Sequence, residues 1–325
     1  MEKLTVVIPT YNRANYLKEA IQGILNQSFK DFKLIILDNA SSDNTTDIVK
    51  TFKDERISYI KNEKNIGMIS NLNKAIEICE TEYLIICHDD DIAEDTLLEK
   101  ELNIIDSDPD ISIVASNVKL IDGKGIIKKE RVVKLHEDKI FNQKEYIKAL
   151  ILKGNFLCFP TVMFRLKVLK DNNLRFREEV GPACDAYLWL ELNLLPFKFY
   201  LISEPLYRYR MHSEQISKQK NIKMQLMFYD KLKPFLTKNG FADSVSRVAH
   251  RYYFGIMNGI IEQTIFNGLT KEQYKIYKDK MKLLGIKRQF KIGNIEIKLY
   301  SKLFLMKIAP KLLLKLLNLK RGVKK

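Results

Sequence analysis

The chain has 325 residues, enough to bury a substantial core, and its apolar and charged fractions, 46% and 29%, are ordinary for a globular protein. Its net charge of +15 is unevenly placed: residues 1–110 carry 12 Lys+Arg against 22 Asp+Glu, and residues 111–325 carry 43 against 18. Basic regions bind nucleic acid, anionic lipid or phosphorylated substrates, but no nucleic-acid-binding motif accompanies this charge, so we expect no nucleic-acid partner.

Strand and helix patterns alternate over the first 110 residues. Apolar, β-rich runs predict strands at 4–9, 32–37, 57–60 and 83–87. Apolar residues at helical spacing predict helices at 16–25, 45–52 and 69–78. This alternation predicts an α/β domain with a Rossmann-like, mostly parallel sheet flanked by helices.

The pattern becomes mixed after residue 110. Further strands are predicted at 113–120, 160–164 and 196–202, with a helix at 184–195. From Ser213 onward the sequence is helical and basic, without a Gly/Ser linker. We therefore expect a first domain at 1–216 and a helical, basic region at 217–325.

Three adjacent acids, Asp89, Asp90 and Asp91, follow the apolar strand that ends at Cys87. Neighbouring carboxylates repel and raise one another's pKa unless a cation or strong donors hold them, so a positive partner is expected. Ligands of open α/β sheets bind at the carboxyl ends of such strands. The alternative is a solvated turn whose last acid caps the following helix.

Two further patterns concern the compartment. The four cysteines lack metal-site spacing, which is typical of free thiols in a reducing cytosol. The amino terminus lacks a basic start followed by a long apolar run, and no stretch of 18 uncharged apolar residues occurs. We expect neither a signal peptide nor a membrane span.

Four segments carry a family resemblance in their order and separation: "VVIPTYNRANYLKEAIQGILNQSF", "LDNASSDNT", "NEKNIGMISNLNKAIE" and "HDDDIAEDTLLEK". Together they resemble the nucleotide-sugar-binding half of a family 2 glycosyltransferase with the GT-A fold. The resemblance covers about residues 4–215. It implies an inverting hexosyl- or N-acetylhexosaminyltransferase, with a UDP-sugar as preferred donor and a dTDP-sugar as the second choice.

The resemblance also implies a donor site. Thr10 and Tyr11 would bracket the base, with Tyr11 stacking on it, and Asp38 and Asn39 would hydrogen-bond it. The family commonly has two acids where Asp38 and Asn39 stand, and an amide oxygen can still accept from a pyrimidine N–H. The alternative for this pair is simple turn chemistry. The implied donor-binding residues are Pro9, Thr10, Tyr11, Arg13, Asp38, Asn39, Asn65, Gly67, Asn73, Asp89, Arg208 and Arg210.

In this resemblance the acid cluster is the DXD-type element, with Asp89 and Asp90 as the principal contacts to ribose and metal. The segment "LYRYRMHSEQIS" matches the part that closes the catalytic domain and contributes His212. The implied metal ligands are Asp89, Asp90, Asp91 and His212. Hard oxygen ligands suit Mn²⁺ or Mg²⁺. In the alternative, strand alternation turns one of Arg208 and Arg210 to solvent, and His212 is an ordinary surface residue.

The segment "GPACDAYLWLEL" resembles the part of the family that supplies the general base, here Asp185. Asp185 could also cap a helix, and Trp189 is either core or a sugar platform. Many relatives have an acid where this chain has Cys184, which keeps open a non-catalytic nucleotide-sugar-binding or scaffold protein. A sugar nucleotidyltransferase would need a glycine-rich phosphate loop, and "IPTYNRANY" has none.

The last 27 residues, 299–325, combine Leu, Ile, Phe and Met with lysines at 307, 311 and 315, which share one helical face. Such a helix lies in an anionic membrane interface. We expect a cytoplasmic protein held peripherally at the inner face of the membrane, acting on a surface polysaccharide or lipid-linked glycan. The alternative is a helix that packs on the protein or on a second subunit of a homo-oligomer.

Overall fold

The computed structural model describes residues 2–212 and 222–248. The chain divides into two compact units, residues 1–218 and residues 219–325. The domain boundary expected near residue 217 falls in the segment 213–221, outside the described residues, and stays a prediction. The amphipathic tail at 299–325 also lies outside them.

The first unit contains ten strands among the described residues. They are β1 (Leu4–Thr10), β2 (Phe32–Asp38), β3 (Ile57–Lys61), β4 (Tyr83–Ile86), β5 (Ile92–Ala93), β6 (Ile111–Asp122), β7 (Ile127–Lys129), β8 (Lys139–Phe141), β9 (Met163–Arg165) and β10 (Lys198–Met211). Its helices are α1 (Ala14–Leu25), α2 (Thr45–Lys50), α3 (Met68–Ile78), α4 (Leu97–Ser107), α5 (Glu145–Lys153), α6 (Leu166–Asp171) and α7 (Cys184–Leu192). Two 3-10 helices lie at Phe159–Thr161 and Glu178–Ala183.

These strands form one open sheet with the order β3-β2-β1-β4-β9-β6-β10-β5, and β7 and β8 pair with β6 and β10. The first four strands are parallel, as are β6 and β10. The short strand β9 runs antiparallel between β4 and β6. The predicted α/β fold with a mostly parallel sheet is confirmed, and the antiparallel β9 joins its two parallel blocks.

The central strands are buried on both faces of the sheet. Most of their side chains are Val, Ile or Leu, which favour such burial. Leu4, Val6, Val7 and Ile8 of β1 have no exposed surface. Strands of this composition need helices on both faces of the sheet. α1 supplies an apolar stripe with Leu17, Ile21 and Ile24 at helical spacing. The carboxyl ends of β1, β2 and β4 consequently open along one edge.

The acid cluster connects β4 to a strand that sequence patterns did not predict. Directly after Asp91, β5 pairs antiparallel with Tyr207 and Arg208 of β10. α4 begins only after Thr96, its N-cap. The alternative in which an acid of the cluster caps this helix is therefore wrong, and the cluster instead lies between β4 and β10.

Within the second unit, α8 spans Ile222–Lys238 and is followed by a 3-10 helix at Ala242–Ser244. Phe228, Leu232 and Phe235 of α8 are buried and recur at helical spacing. No helix of the described residues is long and apolar enough to cross a membrane.

Candidate active site

The end of β10 clamps the acid cluster. Oδ2 of Asp90 lies 2.8 Å from Nε2 of His212, and Oδ1 of Asp91 accepts a 2.7 Å hydrogen bond from the Arg210 backbone N–H. The Arg210 guanidinium donates to the backbone oxygen of Asp90 at 2.7 Å. Asp90 and Asp91 are 9% and 1% exposed. Residues more than 100 positions apart in the sequence thus form one buried polar group.

His88, which the sequence analysis did not single out, belongs to this group. Its Nδ1 lies 3.2 Å from Oδ2 of Asp91, an oxygen that is buried and makes no hydrogen bond of ordinary geometry. Among the described residues, His88, Asp90 and Asp91 each bring one ligand atom within 4.8 Å of the others. The tetrapeptide "HDDD" contains the signal, because it places an imidazole directly before the three acids.

Asp89 points elsewhere. It lies beside the buried Thr10 and close enough to Arg13 for the charges to interact. Burial and then the charge of Asp90 raise the pKa of Asp89 to about 7. Burial lowers the pKa of His88, but its hydrogen bond to Asp91 and the charges of the three acids outweigh burial and raise it to about 8. The Arg210 guanidinium, the nearby Arg13 and a His88 whose pKa is raised offset part of the negative charge of the three acids, and a bound cation would offset the remainder.

Arg208 and Arg210 lie two residues apart on β10, and Arg208 is the one that turns toward solvent, with its side chain 41% exposed. Arg210 is 1% exposed; it stacks over Tyr16 and pairs with Glu19 at 2.7 Å. Arg208 forms a 2.8 Å ion pair with Glu94. His212 is buried and its ring lies 5.2 Å from that of Tyr16, so it is not an ordinary surface residue.

The loop after β2 is held by its own hydrogen bonds. Asp38 has no exposed surface; its Oδ1 accepts from the Ser41 backbone N–H and its Oδ2 from the Tyr59 hydroxyl at 2.6 Å. Burial and the hydrogen bond to Asp38 raise the pKa of Tyr59 to about 12. In this conformation the Asp38 carboxylate shapes the loop from inside, as the turn-chemistry alternative expected.

The Asn39 amide is also committed within the fold. Its Oδ1 accepts from Asn62 Nδ2 and from the Ile66 backbone N–H, and its Nδ2 donates to Asn65 Oδ1. Because a backbone N–H can only donate, the amide orientation is fixed. Both lone pairs of Oδ1 are used, so the expectation that this oxygen accepts from a pyrimidine N–H does not hold here. One N–H of the amide remains to be offered to a base.

The other predicted donor residues are divided between surface and interior. Tyr11 is 46% exposed just after β1, which suits a stacking surface. Pro9 lies near the end of β1, Asn65 is exposed, and Gly67, at φ +88°, is the N-cap of α3. Asn73 instead donates to the Phe176 carbonyl and accepts from the Phe176 N–H, both at 2.9 Å. Its amide therefore ties α3 to the segment before α7.

Asp185 lies in the first turn of α7, whose N-cap is Ala183, so the N-cap alternative for Asp185 is wrong. Burial raises the pKa of Asp185, while the nearby charge of His88 and a 3.3 Å hydrogen bond from Asn155 lower it. The Asn155 oxygen accepts from the Tyr146 hydroxyl and the Leu157 N–H, which fixes its amide with Nδ2 toward Asp185. Sequence patterns gave no signal for Asn155.

Two neighbours of Asp185 are core residues. Trp189 has no exposed surface and packs against Phe159 and Phe164, so it is not a sugar platform. Cys184 is 2% exposed, and burial raises the pKa of its thiol. The position where many relatives have an acid is therefore neutral and apolar in this chain.

Comparisons with known proteins find glycosyltransferases among the relatives of this chain. The sequence model described as "Glycosyl transferase family 2" matches residues 5–172. An uncharacterized glycosyltransferase of Methanocaldococcus jannaschii is 35% identical over 226 residues, 67% of this chain and 75% of that protein. A Campylobacter jejuni protein named GalNAc(5)-diNAcBac-PP-undecaprenol beta-1,3-glucosyltransferase is 32% identical over 200 residues, 59% of this chain and 60% of that one.

Solved structures show the same fold. S. aureus TarS residues 1-349 in complex with UDP-GlcNAc gives a TM-score of 0.66 at 18% identity, over 87% of this chain and 80% of that one. The mannosyltransferase PcManGT of Pyrobaculum calidifontis, in complex with GDP-Man and Mn²⁺, gives 0.54 at 15% identity, over 94% and 87%.

Proposed function

The chain belongs to glycosyl transferase family 2 and is a glycosyltransferase, and from that premise we propose that it is an inverting, metal-dependent enzyme. The predicted GT-A fold is confirmed by its likeness to the solved transferases. The proposed donor is a UDP-sugar, with a dTDP-sugar second, and the acceptor is a hydroxyl of a surface polysaccharide or lipid-linked glycan.

The observation that carries the proposal is the group formed by the half-buried His88 and the acids Asp90 and Asp91. Its ligand atoms lie within 4.8 Å of one another, and one of its carboxylate oxygens is buried without a hydrogen bond of ordinary geometry. A divalent cation would satisfy that oxygen. Carboxylates suit Mg²⁺ and Mn²⁺, and an imidazole ligand favours Mn²⁺ of the two. We place the metal on Asp90 and Asp91, with His88 as an added ligand and His212 holding Asp90.

A metal bound there would neutralise the diphosphate as it leaves. The chain's own residues would do the rest. Thr10 and Tyr11 would bracket the base, with Tyr11 stacking on it, and Asp89, which has Thr10 and Arg13 close by, would contact the ribose. The buried Arg210 would hold the Asp90 backbone and the Asp91 carboxylate in place before the donor binds.

Asp185 is the proposed general base. Its carboxylate takes the proton of the acceptor hydroxyl as that oxygen bonds to the anomeric carbon, and the bond from this carbon to the diphosphate breaks with its electrons leaving on the phosphate. Burial raises the pKa of Asp185, which makes the carboxylate a stronger base than an exposed one. Attack from the face opposite the diphosphate inverts the anomeric centre.

The proposed acceptor follows from two observations. The C. jejuni relative is named for an undecaprenol-linked acceptor, so one relative acts at a lipid-linked glycan. The basic, leucine-rich segment 299–325 would hold this chain at the membrane surface, where such acceptors reside. We therefore propose peripheral association with the inner face of the cytoplasmic membrane.

Calorimetry provides the direct test. UDP is titrated into the full-length protein with Mn²⁺, with Mg²⁺ and with EDTA, and dTDP, GDP and CDP are titrated as matched nucleotides. We expect the tightest binding for UDP with Mn²⁺ and a large loss with EDTA. Binding that is equal in all three conditions would contradict the metal-dependent mechanism.

The non-catalytic alternative is distinguished by donor hydrolysis. Cys184, the departure that keeps this alternative open, is buried and leaves the Asp185 carboxylate in place beside it. Slow, metal-dependent release of sugar from UDP-sugars without acceptor would support the enzyme. A protein that binds the donor tightly but never hydrolyses or transfers it would support the binding role.

A further inference from the structure

A short hairpin beside the acid cluster exposes two aliphatic side chains to solvent. It is formed by the end of β6, a turn at Gly123–Gly125 and β7, and we name Asp122–Lys129 the β6–β7 hairpin. Its Ile126 and Ile127 are 55% and 42% exposed and adjacent. Lys124, Lys128 and Lys129 surround them and are also exposed. Aliphatic side chains next to lysines are the composition of a segment that contacts an anionic membrane interface.

The exposure is built into the hairpin. The Asp122 carboxylate accepts hydrogen bonds from the backbone N–H groups of Lys124 and Ile126, at 2.9 and 3.0 Å, and pairs with Lys128 at 2.8 Å. Backbone hydrogen bonds link Asp122 and Ile126, and Gly125 takes the positive φ of +81° that the turn requires. Side-chain and backbone hydrogen bonds of Asp122 thus stabilise the turn, and the two isoleucines are exposed on an ordered hairpin.

The hairpin is tied to the candidate active site. Arg210, whose guanidinium donates to the Asp90 carbonyl and whose backbone N–H donates to the Asp91 carboxylate, also donates from Nη1 to the Gly123 carbonyl at 3.3 Å. Any surface that the hairpin touches therefore lies close to the mouth of the proposed metal and diphosphate site.

We propose that the β6–β7 hairpin inserts Ile126 and Ile127 into the surface of an anionic membrane, with Lys124 and Lys129 against the lipid headgroups. Aliphatic side chains enter the acyl boundary of a bilayer, and flanking lysines are attracted to anionic lipid. A second copy of the chain is a poorer occupant, because self-association would bring the two lysine rims together. A glycan is also poorer, because two isoleucines offer it no hydrogen bonds.

The hairpin is distinct in sequence from the tail at 299–325 and lies in the first unit. Docking by the hairpin rests on the proposed function only for its purpose, which is to bring the active site to a lipid-linked acceptor. A single weak insertion gives reversible binding, and stable association needs two signals. The hairpin and the tail would be those two, with the hairpin setting how the active site faces the bilayer.

The test uses single tryptophan probes in the full-length chain. Ile126→Trp is compared with Ile140→Trp, because Ile140 is also exposed, at 47%, and stands beside a lysine. Ile140 pairs with Tyr200 of β10, and Ile127 pairs with Ile121 of β6, which itself pairs with Arg210 of β10. Tyr200 and Arg210 are ten residues apart on one strand, so the two isoleucines lie about 30 Å apart along β10. Each variant is mixed with phosphatidylglycerol vesicles that contain brominated phosphatidylcholine, which quenches indoles in the acyl region. The buried Trp189 contributes equally to both.

We expect strong quenching at position 126 and none at 140. The double variant Ile126→Ser/Ile127→Ser should lower the partition constant onto anionic vesicles roughly tenfold, and Ile140→Ser should leave it unchanged. Absence of quenching at 126 on bound protein would overturn the proposal, as would a wild-type chain that does not bind the vesicles. Donor hydrolysis is measured in parallel, so a failure of docking is distinguished from a failure of the proposed function.

Discussion

Nε2 of His212 lies 2.8 Å from Oδ2 of Asp90. His212 directly follows β10, so this contact joins the end of β10 to the acid cluster after β4. It makes the acid cluster a product of the tertiary fold, because the two residues are 122 positions apart in the sequence.

Asp90→Asn should abolish metal-dependent binding of UDP while the protein stays folded, because the amide cannot replace an ionised ligand. His212→Ala should weaken the Mn²⁺ dependence less, since His212 only orients Asp90. Calorimetric titrations with Mn²⁺ and with EDTA measure both effects. Asp95→Asn, an exposed acid a few residues away, is the matched control and should bind as wild type.

Asp185→Asn should lower sugar transfer by about 10²- to 10⁴-fold and leave UDP binding nearly intact, because only the proton acceptor is removed. Asn155→Ala should cause a smaller loss and change the pH dependence of kcat, since its hydrogen bond lowers the pKa of Asp185. Transfer at the normal rate by the Asp185 variant would mean that another group is the base. Glu178 and Glu179 would then be tested next.

Tyr11→Ala should weaken UDP binding by about 1–3 kcal/mol, the usual contribution of one base stacked on an aromatic ring. Tyr11→Phe keeps the ring and should bind within a factor of about two of wild type, because the hydroxyl is not needed for stacking. Isothermal calorimetry with UDP separates the two. Equal losses in both variants would assign the interaction to the hydroxyl and not to the ring.

Glu101 of α4 has no exposed surface, and burial raises its pKa well above the usual range. The folded state keeps the proton while the unfolded state loses it above about pH 4.5, so stability falls by about 1.4 kcal/mol per pH unit until the folded pKa is reached. Glu101→Gln should remove this dependence on pH, so the free energy of unfolding of the variant should rise relative to that of the wild type as the pH increases. Urea unfolding at pH 5.5, 6.5 and 7.5 measures it. Glu77→Gln, an exposed helical control, should keep the wild-type slope.

Deletion of residues 299–325 should remove most of the affinity for anionic vesicles and preserve donor hydrolysis. The segment carries Lys302, Lys307, Lys311, Lys315, Lys320, Arg321, Lys324 and Lys325 without an acid. Each basic residue contributes about 1 kcal/mol near an anionic surface, and the leucines add a part that salt does not screen. Vesicle sedimentation at low and high salt checks this. Unchanged binding with a new oligomeric state would identify the tail as a packing element.

Local patterns predicted the first half of the fold well, because β1 to β4 and the helices between them obey simple periodicity. The two-residue β5 was not predicted, and the strand predicted at 160–164 overlaps the three-residue β9 only in part. Strands this short show no periodic pattern. The length of β10 was also missed: its residues 198–211 contain Pro205, where a bulge interrupts the pairing with β6. Pairing with β6, which is distant in the sequence, continues the strand past the bulge, and a local sequence pattern contains no information about that pairing.

Segments that resemble the family predicted most of the charged residues of the site, but not His88 or the hydrogen bonds of the amide side chains. Asp90, Asp91 and His212 came from segments that resemble the family, and the structure brings them together. His88 was overlooked because a lone histidine is usually a satisfied structural residue. Asn155 and the network around Asn39 depend on hydrogen bonds between distant loops, so only the three-dimensional arrangement reveals how these amides point.

The position of β10 determines when the active site is completed during synthesis. Strands β1 to β4 lie in the first 86 residues and can pair as they leave the ribosome, whereas β6 must wait for β9 and β10. Pairing across such sequence distances is slow. A nascent chain that has not yet reached Arg210 lacks both Arg210 and His212 beside the acids, so the hydrogen bonds that these two residues make with Asp90 and Asp91 are absent. The acid cluster therefore reaches its final hydrogen bonding only with the last strand of the described sheet.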